Sequence, residues 1–315
     1  MPTLRIKEFL EKSPAELSTY NELKIGGDLG SIPIHRLKPN KFTAFCKAIA
    51  ECSNLQHIDL SDLHFIGLLT KDQISLLFEV VHRGHSQLES ISLAGALYQL
   101  EKEDAQPLIN LLQSCQKLIS VDVSKAPQPI LAEIFNALAH KHLACLNVSH
   151  CDIREVSEEF CNTVQTLSSL KSLTLEHNNL WRLTSVLQQK VFNSIAYCSQ
   201  LQKLNIAMCY ISPMDDTVFE DFKTMLIKCT SLEEVVIKRL SDRALVGINH
   251  SQLETLNTIT NLRTQEQKIR DKTTLLCLLY RNKQKPLAIS LPTELGLEAL
   301  EWRKPTTPLK IFSIG

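Results

Sequence analysis

The side chains best suited to chemistry crowd between residues 140 and 151: His140, His142, Cys145, His150 and Cys151. Imidazoles and thiolates at that density are what a tetrahedral zinc site draws on. The pattern around them argues against one. Cys145 falls on the polar side of a short strand and Cys151 under the turn that follows, so they point to different sides. A second candidate, Gly26-Gly27-Asp28-Leu29-Gly30-Ser31, is as glycine-rich as a phosphate loop but lacks the Lys that would follow; it reads as a tight turn. His82 and His85 end a helix, where a partial negative charge suits an imidazolium. Cys277, as a nucleophile, would have to ionise within the apolar run LLCLLY, where burial raises a thiol's pKa. No spacing marks a Ser-His-Asp arrangement. The expectation is a chain with no catalytic residue, no metal and no cofactor.

The elements that hold these residues repeat. Strand cores LQHIDL, LESISL, LISVDV, LACLNV, LKSLTL, LQKLNI and LEEVVI begin at Leu55, Leu88, Leu118, Leu143, Leu170, Leu201 and Leu232, at spacings of 25 to 33 residues. An amphipathic helical stretch precedes each. In the last, VFEDFKTMLIKC, Phe219, Phe222, Met225 and Leu226 share a face, and Thr217 with Glu220 makes a capping box. Alternating strands and helices also fit a doubly wound α/β sheet, but strands buried on both faces read as continuous apolar runs. Here each strand has one apolar and one polar side, as in Ile91 and Leu93 against Ser90 and Ser92. One face of the sheet is therefore wet. That predicts an α/β horseshoe, a right-handed βα solenoid with a parallel sheet on the concave face and helices on the convex face.

Leu170, Leu173, Leu175, Asn178 and Leu180 follow the order L-x-x-L-x-L-x-x-N-x-L. With full helices, and with Cys52, Cys115, Cys198 and Cys229 three residues ahead of a strand's first Leu, the chain resembles the ribonuclease-inhibitor-type leucine-rich-repeat family. The resemblance covers about residues 42–250. It departs from the pattern at the turn, where Asn stands only at 178. Cys151 and Cys209 are accepted substitutes; Leu63, Ala96, Ala126 and Leu240 are not, so the hydrogen-bond ladder should be patchy there. Residues 1–41 read as an N-terminal cap, with a degenerate strand within 21–30. Residues 251–315 read as a capping helix and an irregular tail.

Lys plus Arg and Asp plus Glu both number 34, so no global field favours nucleic acid. Arg5, Lys7 and Glu8 interrupt the apolar run a signal peptide needs, and recurrent unpaired thiols fit a reducing, cytoplasmic setting. Seven cations against two acids in residues 263–285 leave membrane contact as an alternative. The resemblance implies a monomeric, non-catalytic scaffold that binds a protein partner along the concave face and turns. Its candidate residues are Asp59, Ser92, Asp122, Asn147, Thr174, Glu176, His177, Trp181, Lys203, Asn205 and Lys238. The irregular repeats, and a tail with Glu294, Glu298 and Glu301 ahead of Ile311-Phe312, also resemble leucine-rich-repeat effectors that intracellular bacteria secrete into host cells, with a host protein as partner.

Overall fold

A computed structural model describes residues 3–26, 34–61, 68–84, 87–209 and 216–236. Among these residues nine strands form one sheet in chain order, every neighbouring pair parallel. They are β1 (Thr3–Arg5), β2 (Glu22–Gly26), β3 (His57–Asp59), β4 (Ser90–Ser92), β5 (Ser120–Asp122), β6 (Cys145–Asn147), β7 (Ser172–Thr174), β8 (Lys203–Asn205) and β9 (Glu234–Val236). The last seven fall on the seven leucine-led cores. Short helices α1 (Ile6–Leu10) and α2 (Pro14–Leu17) join the first two strands. From there helices α3 (Pro39–Glu51), α4 (Lys71–Gly84), α5 (Gln106–Ser114), α6 (Leu131–Leu138), α7 (Ser157–Thr166), α8 (Ser185–Ile195) and α9 (Asp216–Lys228) alternate with strands. The N-terminal segment therefore extends the sheet itself, through β1 and β2.

Register follows from burial. From β3 to β9 the central residue of each strand points into the core, as does Leu23 of β2, so Leu23, Ile58, Ile91, Val121, Leu146, Leu173, Leu204 and Val235 line up as Cα partners and are all buried. A slip of one residue would put that whole row in water. Helices pack from the other side, each on its neighbour, and contribute Phe45, Phe78, Phe135, Phe160, Phe192 and Phe222 to the same core. Edge-to-face contacts such as Phe135 on Phe160, at 5.5 Å, tie consecutive repeats. Strands stack about 4.8 Å apart while helices need about 8–10 Å. The helix layer must therefore be the longer arc, which bends the sheet inward.

Three hydrogen-bond lines hold the repeats together. At the strand starts, paired amides such as those of Lys171 and Ser172 donate to the Ala144 carbonyl one repeat back. At the strand ends, the amides of Leu93, Val123, Val148, Leu175 and Ile206 donate to the following repeat. The turn amides of Gly95, Lys125, His150 and His177 do likewise. Behind them runs the side-chain ladder. Asn178, fully buried, donates from Nδ2 to the carbonyls of Val148 (2.8 Å) and Leu175 (2.9 Å) and accepts the Cys151 amide on Oδ1 (3.1 Å). The Cys151 thiol reaches the Val123 carbonyl at 3.4 Å and the Cys209 thiol the Leu175 carbonyl at 2.9 Å. At Ala96 and Ala126, where no side chain can reach, the main chain closes on itself: their amides donate to Leu93 and Val123. The ladder is patchy in side chains there but not in satisfied backbone. Leu63 and Leu240 lie outside the described residues.

Helix ends use the next repeat as well. The Lys141 Nζ donates to the carbonyls of Gln113 and Cys115 at 3.1 Å, closing the C-terminus of α5 with a cation. The Cys198 and Cys229 thiols point at carbonyls one repeat back. Reciprocal capping boxes form at Ser13–Glu16 and Thr70–Gln73. The box expected at Thr217 is a correction: α9 already starts at Asp216, so Thr217 lies within the first turn and is not its cap.

Replacing Asn178 by Ala strands one buried amide and loses both donors to buried carbonyls. The expected cost is about 3 kcal/mol or more, read as a lower urea midpoint. Asn178→Cys, which keeps a donor of the kind seen at 151 and 209, should lose less.

Candidate functional site

A three-residue strand shows its first and third side chains on the face away from the helices. The third-position column runs Asp59, Ser92, Asp122, Asn147, Thr174, Asn205 and Val236, as the alternation predicts. Four of these are occupied by the fold. Asp59 accepts the Ser61 amide (2.9 Å), Asp122 that of Ser124 (2.9 Å), Asn147 that of Ser149 (3.0 Å) and Asn205 that of Ala207 (2.9 Å). Each is an Asx turn in which a short polar side chain caps its own strand end. Their remaining atoms link repeats: Lys24 pairs with Asp59 at 3.0 Å, Asn147 Nδ2 donates to Asp122 Oδ2 at 2.8 Å, and Asn205 Nδ2 to Glu176 Oε2 at 3.3 Å. Burial opposes charge on Asp59, but hydrogen bonds from Ser61 and Lys24 outweigh it and hold the carboxyl below its ordinary value.

Past the third position the alternation no longer holds across the sheet. Ser124 and Ser149 are 7% and 6% exposed and Ala207 is buried. The strands end before this position, so the chain is already turning inward. The second wet column is the first strand position: His57, Ser90, Ser120, Cys145, Ser172, Lys203 and Glu234. The hydroxyls of Ser90, Ser92, Ser120, Ser172 and Thr174 hold no hydrogen bond within the described residues.

Between β7 and β9 the face dips into a hollow of about 200 Å³. Ser172, Thr174, Lys203, Asn205, Glu234 and Val236 line it over a floor of Leu173 and Leu204. Lys203 spans its rim to Glu234 at 3.2 Å. The hollow thus brings together the predicted Thr174, Lys203 and Asn205, and adds Ser172 and Glu234, which strict period-two alternation from the strand start would have found. Glu176, on the turn after β7, reaches the lining residue Asn205, and His177 Nε2 lies 3.9 Å from Glu176 Oε1. Asp59, Ser92, Asp122 and Asn147 lie farther toward the N-terminal strands. Trp181 sits in a 3-10 turn, Leu180–Arg182, with its side chain outside the described residues, as are Lys238 and the basic stretch 263–285. Tyr98, 54% exposed, stands on the turn after β4.

Among the described residues no group of three His, Cys, Asp or Glu side chains is arranged to hold a metal ion. Cys145 is exposed on the strand face and Cys151 buried under the turn, as their register requires. Nor is any described helix long and apolar enough to cross a membrane.

Neither a family model nor a curated protein matches this chain. Among solved structures it is similar to the leucine-rich repeat-containing protein LegL7 from Legionella pneumophila (14% identity, TM-score 0.41), covering 75% of this chain and 64% of that one. It therefore spans less than two thirds of the Legionella protein. It is also similar to an internalin from Listeria monocytogenes (13%, TM-score 0.33, covering 77% and 84%) and to the tropomodulin C-terminal domain from Caenorhabditis elegans (15%, TM-score 0.21, covering 71% and 98%). At these values the fold assignment rests on this chain's own register and ladders. They decide it. The chain is built as a leucine-rich-repeat solenoid.

Thiol chemistry separates the two sides of this solenoid. Burial pushes Cys46, Cys52, Cys151, Cys198 and Cys209 up to about 12, and Cys115, Cys161 and Cys229 are buried too. Native maleimide labelling followed by peptide mapping should modify Cys145 fastest among the nine described cysteines, and the other eight only after denaturation.

Proposed function

We propose that this chain is a non-catalytic scaffold that holds a protein partner against the concave face, centred on the hollow over β7–β9. The observation that carries the reading is the division of labour on that face. Its Asp and Asn side chains are spent on closing strand ends, whereas the Ser172 and Thr174 hydroxyls and the exposed Lys203 are turned outward around one depression. Small hydroxyls let another backbone approach closely, and Lys203 with Glu234 offers one donor and one acceptor at the rim. Such a surface suits polar groups of an extended chain better than a small apolar ligand, which needs an enclosed pocket.

The finer reading is that the partner is a host protein and the chain an effector secreted into a host cell by an intracellular bacterium. The irregular repeats and the acidic tail composition support it. Recurrent unpaired thiols at fixed positions support residence in a reducing cytoplasm.

Affinity capture with two baits tests the binding reading. Asn205 and Glu176 are poor positions to change, because Asn205→Arg would also break a strand cap. Ser172→Arg with Thr174→Arg fills the hollow without removing a hydrogen bond of the fold. Once its thermal midpoint is shown to match the wild type, this double variant should lose at least tenfold in recovery of the partner. Equal recovery would move binding off the hollow.

A further inference from the structure

The turns after β4 to β8 stack into a column of residues with left-handed backbone: Gly95, Lys125, His150, His177 and Met208, with φ of 71°, 62°, 58°, 60° and 56°. Only the first is glycine. The others hold this conformation because the turn must close there, and the amides of Lys125, His150 and His177 each donate to the next repeat. Residues in one conformation at repeat spacing send their side chains the same way. In mid-column this sets the imidazoles of His150 and His177 face to face, with centroids 4.2 Å apart and planes at 17°.

Among the described residues, the charged groups around the pair are Lys125 and Glu176. Lys125 stands beside His150 in the preceding turn, and Glu176 lies by both rings from the end of the β7 repeat, with Oε1 3.9 Å from His177 Nε2. The following position, Met208, is uncharged. A single imidazolium in the stack has a neutral ring on its face and one carboxylate beside it. A second faces a like charge at stacking distance, with Lys125 adding to the repulsion and, among the described residues, Glu176 alone to offset it.

We propose that His150 and His177 form a pH-sensitive clasp on the turn edge of the concave face. It is closed while at most one ring is protonated and opens when the second proton binds, loosening the two turns beside Glu176. Burial first, then His177 and Lys125, already hold the His150 imidazole below its ordinary value. The sign follows: the unfolded chain takes up this proton at a higher pH than the folded one. The stability of the closed clasp is therefore fully present above about pH 6.5, the unfolded value, and is lost as pH falls from there through the lower folded value of His150. Ordinary carboxylates titrate nearer pH 4, so the two effects separate.

The test is an NMR titration of the imidazole protons of the full chain from pH 8 to 5, with His150 assigned by its absence in His150→Phe. Thermal midpoints at pH 7.5 and 5.5 are compared with His177→Phe, which keeps a stacking ring without its charge. The His150 midpoint should rise in His177→Phe. Between the two pH values the wild type should lose at least about 2 °C more than His177→Phe does. His177→Gln repeats the comparison if the Phe substitution prevents folding. A His150 midpoint unmoved by the change at 177, or equal thermal losses, overturns the proposal.

Discussion

A three-residue strand cannot stand alone, and everything in this molecule follows from how each is held. Its backbone groups find partners only in the repeats before and after it. The strand-start amides look back one repeat, while the strand-end and turn amides look forward. Burial of one central apolar residue per strand fixes the register, and the hydrogen bonds then copy it along the chain. Stability is accordingly a matter of neighbouring interfaces, each repeat completing the one beside it.

The same constraint decides what the outer face can offer. A strand that ends after three residues must cap itself, and Asp59, Asp122, Asn147 and Asn205 do so from the face where a partner would lie. Side chains that look like recognition groups are thus part of the scaffold. Among the described residues of that face, those not spent on strand caps are the hydroxyl lattice, the exposed Cys145, and the hollow edged by Lys203 and Glu234. Where the repeat turns inward, left-handed residues align their side chains, and this brings His150 and His177, one repeat apart, into contact.

Much of the fold is legible in the sequence because leucine spacing and the strand's two-residue alternation are direct consequences of one buried face. The strand positions and the side on which helices pack could both be read from it. The face was legible only in part. Asp and Asn at a strand end look the same whether they cap a turn or await a partner, so their Asx turns stayed hidden. Alternation carried past the strand end would place Ser124 and Ser149 on that face, where the chain is already turning inward. At Ala96 and Ala126 the side-chain ladder is patchy, as the sequence implies, and a main-chain turn closes each rung instead. The His150–His177 stack could not be foreseen, since it depends on two turns adopting positive φ in register.

The central claim, that partners bind the strand face and not the helix face, is tested most directly by photocrosslinking from Cys145. A benzophenone maleimide on this thiol sits in the middle of the concave sheet. The control places the same label on the convex side, through Lys190→Cys in a Cys145→Ser background. Irradiation with the partner present should give a covalent adduct from Cys145 and none from position 190. An adduct from position 190 alone would contradict the account.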